Sequence, residues 1–68
     1  MTPIHLSDVH DYCSRIWGIT VPALEPLHWI RLNDSALEHV QVGANLYTTN
    51  WWIDDFVFAR GMVPDDYL

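Results

Sequence analysis

The sequence contains no lysine, and its three arginines, Arg15, Arg31 and Arg60, stand against nine acidic residues, which leaves a formal charge of −6 and an isoelectric point near 4.7. A chain of this sign cannot neutralise phosphates, so direct binding of nucleic acid is not expected. Cysteine is nearly absent too. Cys13 stands alone, which rules out an intrachain disulfide, and small secreted domains usually depend on several, so a reducing cytoplasm is the expected setting. Residues 1–6 lack the basic and apolar regions of a signal peptide, and no apolar run approaches the roughly 20 residues of a membrane span. Only three glycines occur, Gly18, Gly43 and Gly61, scattered too widely to form a phosphate-cradling loop.

What the chain does have is apolar and aromatic bulk: half of its 68 residues are hydrophobic, and nine are Trp, Tyr or Phe. That content predicts a folded state and not a disordered one. One small domain spanning the whole chain is expected, with a folded surface of about 4,400 Å² from area scaling. So small a domain needs most of its aromatics in the core, leaving two or three for a binding face unless dimerisation buries more. The chain could be a monomer or a homodimer.

Ser7 and Asp8 read as a helix start, with an N-cap oxygen and an acidic first turn. Leu6, Val9, Cys13, Ile16 and Trp17 share one helical stripe, and Gly18 stands where a helix ends in a left-handed residue, so a helix is predicted over 7–17. Residues 19–26 carry Pro22 and Pro26 and predict an extended connector. Residues 27–32 are bulky and β-prone, residues 37–42 alternate, and Asn33, Asp34 and Ser35 between them are turn formers, which predicts an antiparallel hairpin. A third strand at 46–49 would follow a turn at Gly43, Ala44 and Asn45. In a rival reading, 35–41 is a short helix capped by Asp34. Asn50 as N-cap, Arg60 in the last turn, Gly61 beyond it and Pro64 as a stop predict a second helix over 51–60. The expected class is α+β, a small helix, sheet and helix arrangement.

Catalytic and metal motifs are sparse. His10 and Cys13 are spaced i, i+3, and His5, His28 or His39 could complete a zinc site, but zinc ligands in small domains come as two paired motifs and only one weak pair is present. A nucleophilic Cys13 would need an electropositive setting, whereas this residue lies mid-helix in an acidic chain. Carboxylate pairs drawn from Asp54, Asp55, Asp65 and Asp66 would need a cleft to shape their acidity. The reading is therefore non-catalytic, with no metal and no cofactor, and with Cys13 in the core.

Charge is unevenly placed. Residues 1–33 carry Asp8, Asp11 and Glu25 against Arg15 and Arg31, a net −1, while residues 34–68 carry Asp34, Glu38, Asp54, Asp55, Asp65 and Asp66 against Arg60, a net −5. On a helical projection Asp54 and Asp55 share the outer face with Trp51 and Phe58, while Trp52, Ile53, Phe56, Val57 and Ala59 face the core. Asp65, Asp66 and Tyr67 continue the pattern beyond Pro64. Aromatics flanked by carboxylates suit a protein-binding surface that meets arginine or lysine on a partner. The bland alternative is a solvated acidic face with Trp51 and Phe58 folded back over the sheet.

In size, charge and lack of a catalytic motif, the chain resembles the small acidic single-domain inhibitors that bacteriophages make against host defence, including anti-CRISPR proteins that act as DNA mimics. The resemblance carries no residue roles. It implies a cytoplasmic protein in a host bacterial cell that occludes the DNA-recognition surface of a CRISPR surveillance complex or a similar nucleic-acid-handling assembly. Asp54, Asp55, Asp65 and Asp66 would then be the main anionic contacts, with Asp34 and Glu38 as a second group and Trp51 and Phe58 as aromatic anchors. A reading from another class is a structural or assembly subunit that docks through Trp51, Phe58 and Tyr67.

Overall fold

The computed structural model describes residues 1–67, with Tyr67 described in its backbone only. Two helices and a short third pack on a three-stranded antiparallel sheet, in the order β1 (Pro3–His5), α1 (Val9–Trp17), α2 (Glu25–Trp29), β2 (Val40–Val42), β3 (Asn45–Thr49) and α3 (Asn50–Ala59). Single 3-10 turns, Leu6–Asp8 and Asp65–Tyr67, precede α1 and follow α3. The expected α+β class holds. The accessible surface is 4567 Å², close to the value that area scaling gives.

The strand predicted at 46–49 forms and is the centre of the sheet, whose order is β1-β3-β2. Its N-terminal neighbour β1 was not foreseen: Pro3, Ile4 and His5 pair with Thr49, Thr48 and Tyr47. A three-residue strand carries too little alternation to be seen locally, and here its stability comes from a partner more than forty residues away. The predicted hairpin of 27–32 with 37–42 is not formed, and only the pairing of its second strand with the third is kept. Residues 40–42 pair with 45–47 around the Gly43-Ala44 turn, but residues 36–39 run irregularly, and neither the longer strand nor the rival helix over 35–41 is formed.

Residues 27–32, read as a strand, instead contribute to α2 and the turn that ends it. Glu25 and Pro26 begin this helix, where a missing N–H and an acidic side chain both favour a first turn. Burial of Pro26 and Trp29 then holds five residues that propensity alone would leave unformed. The connector is correspondingly shorter than 19–26.

α1 starts two residues later than predicted, because Leu6–Asp8 adopt a 3-10 turn. Ser7 is not the N-cap of α1. Its backbone N–H donates to His5 Nδ1 at 3.1 Å, and its hydroxyl lies 2.7 Å from the same nitrogen. Gly18 does end α1 in the left-handed region, with φ 64, a conformation that costs glycine nothing. For α3 the cap is Thr49, whose Oγ1 accepts from Trp52 N at 3.1 Å. Asn50 turns back to the N-terminus instead, where its Oδ1 accepts from Thr2 N at 2.8 Å.

Leu6 from the first 3-10 turn, Val9 and Cys13 from α1, Trp29 from α2, Leu37, and Ile53, Phe56 and Val57 from α3 form the core with Ile19, Val21 and Val63. Two residues assigned to core-facing positions are exposed, Ile16 at the outer end of α1 and Ala59 at the end of α3. Burial pushes the Cys13 thiol up to about 11 from 9.0, with the Asp54 charge adding to the shift, and burial first and the hydrogen bond to Asp54 second raise Tyr12 as well.

Both groups are harder to ionise folded than unfolded, so their contribution to stability is complete below the ordinary thiol value and is lost as pH rises through the folded one. Denaturation in urea is expected to show stability falling by about 2 kcal/mol between pH 9 and 11 from Cys13 alone. Cys13→Ala should flatten that slope whatever it does to stability at neutral pH. An unchanged slope would contradict the assignment.

Candidate functional site

Six acidic residues were expected on the binding face, and the structure divides them into three groups. Asp54 is half-buried between α1 and α3, where one oxygen, Oδ1, accepts from Trp17 Nε1 at 2.7 Å and from Tyr12 OH at 2.8 Å. It is therefore a tie between two helices and not a free anionic contact, which corrects the expectation from the helical projection. A projection ranks positions by angle alone and does not show that a second helix lies against the flank where Asp54 points.

Asp65 and Asp66 are exposed in the 3-10 turn beyond Pro64 and line neither of the two depressions described below. The side chain of Tyr67, expected beside them, lies outside the described residues. Asp34, Glu38 and Asp55 form the third group. All three are exposed, and they converge on one open groove of about 680 Å³ between α3 and the chain segment 34–38.

Two walls define this groove. One is the outer flank of α3, with Trp52, Asp55, Phe56, Ala59 and Arg60. The other is residues 34–38, an irregular segment held in place at three points. Leu37, 1% exposed, is sunk into the core and its N–H donates to Trp29 O at 3.0 Å. Thr48 Oγ1, from the middle of the sheet, donates to Glu38 O at 2.8 Å. Arg60 Nη2 donates across the groove to Ser35 O at 3.1 Å.

The aromatic side of the groove is equally well anchored. Phe56 packs on Trp29 with ring centres 4.8 Å apart, and the Arg60 guanidinium lies 4.5 Å from the Phe56 ring centre. Trp52 is half-buried beside it and packs on the core. The one ion pair among the described residues joins Arg15 to Asp11 on the far helix. The side-chain carboxylates of Asp34, Glu38 and Asp55 thus have no hydrogen-bond or ion-pair partner among the described residues. Three unpaired carboxylates against one guanidinium give the groove a negative field above an apolar floor.

No family model, curated protein or solved structure matches the chain. The site stands on its own geometry.

Trp51 and Phe58 are exposed as expected, at 58% and 43%, on the flank of α3 next to Asp55. Phe58 meets Trp17 edge-on, with centres 4.9 Å apart, so its exposed edge continues the Trp17 surface and does not fold over the sheet. Asp55 sits between this aromatic ridge and the groove. Trp52, Ser35 and Arg60 were not singled out from sequence as site residues. Trp52 was assigned to the core by helical angle, and nothing local signals that residues 34–38 would lie along α3.

A second depression of about 260 Å³ has an apolar floor with Leu6, Leu24, Leu27 and Leu46, and His5, Ser7 and Asn45 at its rim. His5 Nε2 lies 3.0 Å from Asn45 Oδ1 and Nδ1 lies 2.7 Å from Ser7 Oγ. With Nδ1 also accepting from Ser7 N, the imidazole closes the first 3-10 turn and ties it to the start of β3. Among the described residues, no group of three His, Cys, Asp or Glu side chains could hold a metal ion, and no helix is long and apolar enough to cross a membrane.

Proposed function

We propose that this chain is a non-catalytic, acidic protein-binding inhibitor that occludes a basic nucleic-acid-recognition surface of a host complex, such as a CRISPR surveillance complex. The observation that carries the reading is the groove along α3, where Asp34, Glu38 and Asp55 lie unpaired around Trp52 and Phe56. A surface built to hold nucleic acid presents Lys and Arg spaced for phosphates, and at long range its field attracts carboxylates in the same way. The aromatic floor adds burial at short range. Asp65 and Asp66 supply charge outside the groove and steer association more than they hold the complex.

Asp34, Glu38 and Asp55 are exposed, so reversing all three to lysine spares the fold. With a reconstituted surveillance complex and labelled target DNA, the native protein is expected to prevent DNA loading in a mobility-shift assay, and increasingly so as salt is lowered. The triple reversal should weaken this by about tenfold or more. DNA loading that proceeds equally with native protein and with the reversal would overturn the reading.

Trp51, 58% exposed beside Phe58, favours a second reading, in which the chain is an assembly subunit that docks through this ridge on a partner or on its own copy. Light scattering after size exclusion separates the two. A dimer that persists at high salt and is lost in Trp51→Ala supports the ridge, whereas a monomer whose binding disappears with salt supports the groove.

A further inference from the structure

We propose that the groove takes an arginine side chain of the partner, and that Arg60 occupies this position in the free protein as an internal competitor. The inference rests on the groove being the docking surface. It follows from how Arg60 is held. Its planar head lies over the Phe56 ring at 4.5 Å and reaches across to Ser35 O at 3.1 Å, yet it forms no ion pair with Asp34, Glu38 or Asp55.

The groove therefore already seats one guanidinium by its face and one of its donors, with three carboxylates left over around it. A planar, weakly hydrated guanidinium can stack on a ring and still offer its remaining donors to carboxylates at the edge. A compact, strongly hydrated ammonium gains little from the ring, so the chemistry selects arginine over lysine. Charge complementarity fixes the sign of the occupant, and the seat that Arg60 fills fixes its shape.

Acetyl-(Arg)4-amide and acetyl-(Lys)4-amide, titrated into the intact chain at one ionic strength, test this with the Trp52 indole N–H and the Ser35 amide as NMR reporters. Both peptides should shift the reporters, the arginine peptide binding about two- to fivefold tighter. Arg60→Lys keeps the charge and removes the planar head, and it should raise the preference for arginine by a further two- to fivefold or so while leaving the lysine peptide within about twofold. Arg60→Met, which keeps the apolar stem, gives the same ratio readout if Arg60→Lys does not fold.

Asp34→Asn with Glu38→Gln and Asp55→Asn should abolish the response to both peptides, while Asp8→Asn with Asp11→Asn and Glu25→Gln, an equal charge change elsewhere, should retain it. If the groove triple loses binding but the Arg60 variants leave the arginine preference at its native value, the competitor role is wrong and the docking surface stands. If the groove triple binds both peptides as the native chain does, the docking surface is wrong and the competitor falls with it.

Discussion

Asp54→Ala is expected to lose about 2–4 kcal/mol of stability, because it strips the shared acceptor from Tyr12 OH and Trp17 Nε1 at once, at a half-buried helix contact. Short bonds of 2.8 and 2.7 Å to one carboxylate oxygen are charge-assisted and stronger than neutral ones. For a chain of this size the whole folding free energy is about 3–10 kcal/mol, so this one contact carries a large share of it. Tyr12→Phe and Trp17→Phe should each cost about 1–1.5 kcal/mol. A double-mutant cycle with Asp54→Asn should find coupling for each pair, since all three side chains share one atom.

The neighbouring Asp55→Ala should lie within about 0.5 kcal/mol of the native chain. Urea denaturation followed by Trp fluorescence measures all of these, and an Asp54→Ala variant as stable as Asp55→Ala would refute the tie. The contrast also governs how the binding face is probed: reversing Asp54 together with Asp55 would remove binding by unfolding the protein, and only Asp55 of the two reports on the surface.

Trp29→Ala is expected to cost about 3–5 kcal/mol, the usual range for removing a buried aromatic. Trp29 is 6% exposed, packs on Phe56 at 4.8 Å and lends its carbonyl to Leu37 N. The loss thus opens a cavity below Phe56 and loosens both walls of the groove at their common base. Near-UV circular dichroism should lose its aromatic signal at 25 °C, and the urea transition should shift to far lower denaturant or vanish. Leu37→Ala, with an expected cost of about 2–5 kcal/mol, tests the other wall. Retention of a native transition within about 1 kcal/mol in both variants would show that the groove does not depend on this packing.

α1 and α3 were readable because each carries local signals that agree: an apolar stripe, an end in Gly18 or Gly61, and a stop in Pro64. β3 was readable from its β-prone run and the turn before it. α2 was not, because residues 27–32 are bulky enough to suit either period. What decides them is burial of Pro26 and Trp29, a tertiary effect. β1 depends on a partner more than forty residues away and could not be seen from three residues.

At the site, Asp34, Glu38 and Asp55 were each singled out by charge and exposure, which are local properties. Their meeting in one groove depends on Leu37 and Thr48 laying residues 34–38 along α3, and no spacing rule contains that. Asp54 was misplaced for the same reason: its partners Tyr12 and Trp17 lie 42 and 37 residues earlier in the chain.

The stitch between Thr2 and Asn50 has a kinetic consequence. Thr2 N donates to Asn50 Oδ1 and Asn50 N donates back to Thr2 O at 3.1 Å, closing a loop of 48 residues. Loops of that length form late, because their entropy must be met before their contacts give anything back. Pro3–His5 therefore gain their partner only once Asn45–Thr49 are in place. During synthesis, too, Pro3–His5 are made before the strand they pair with, and more than forty residues must follow before that partner exists.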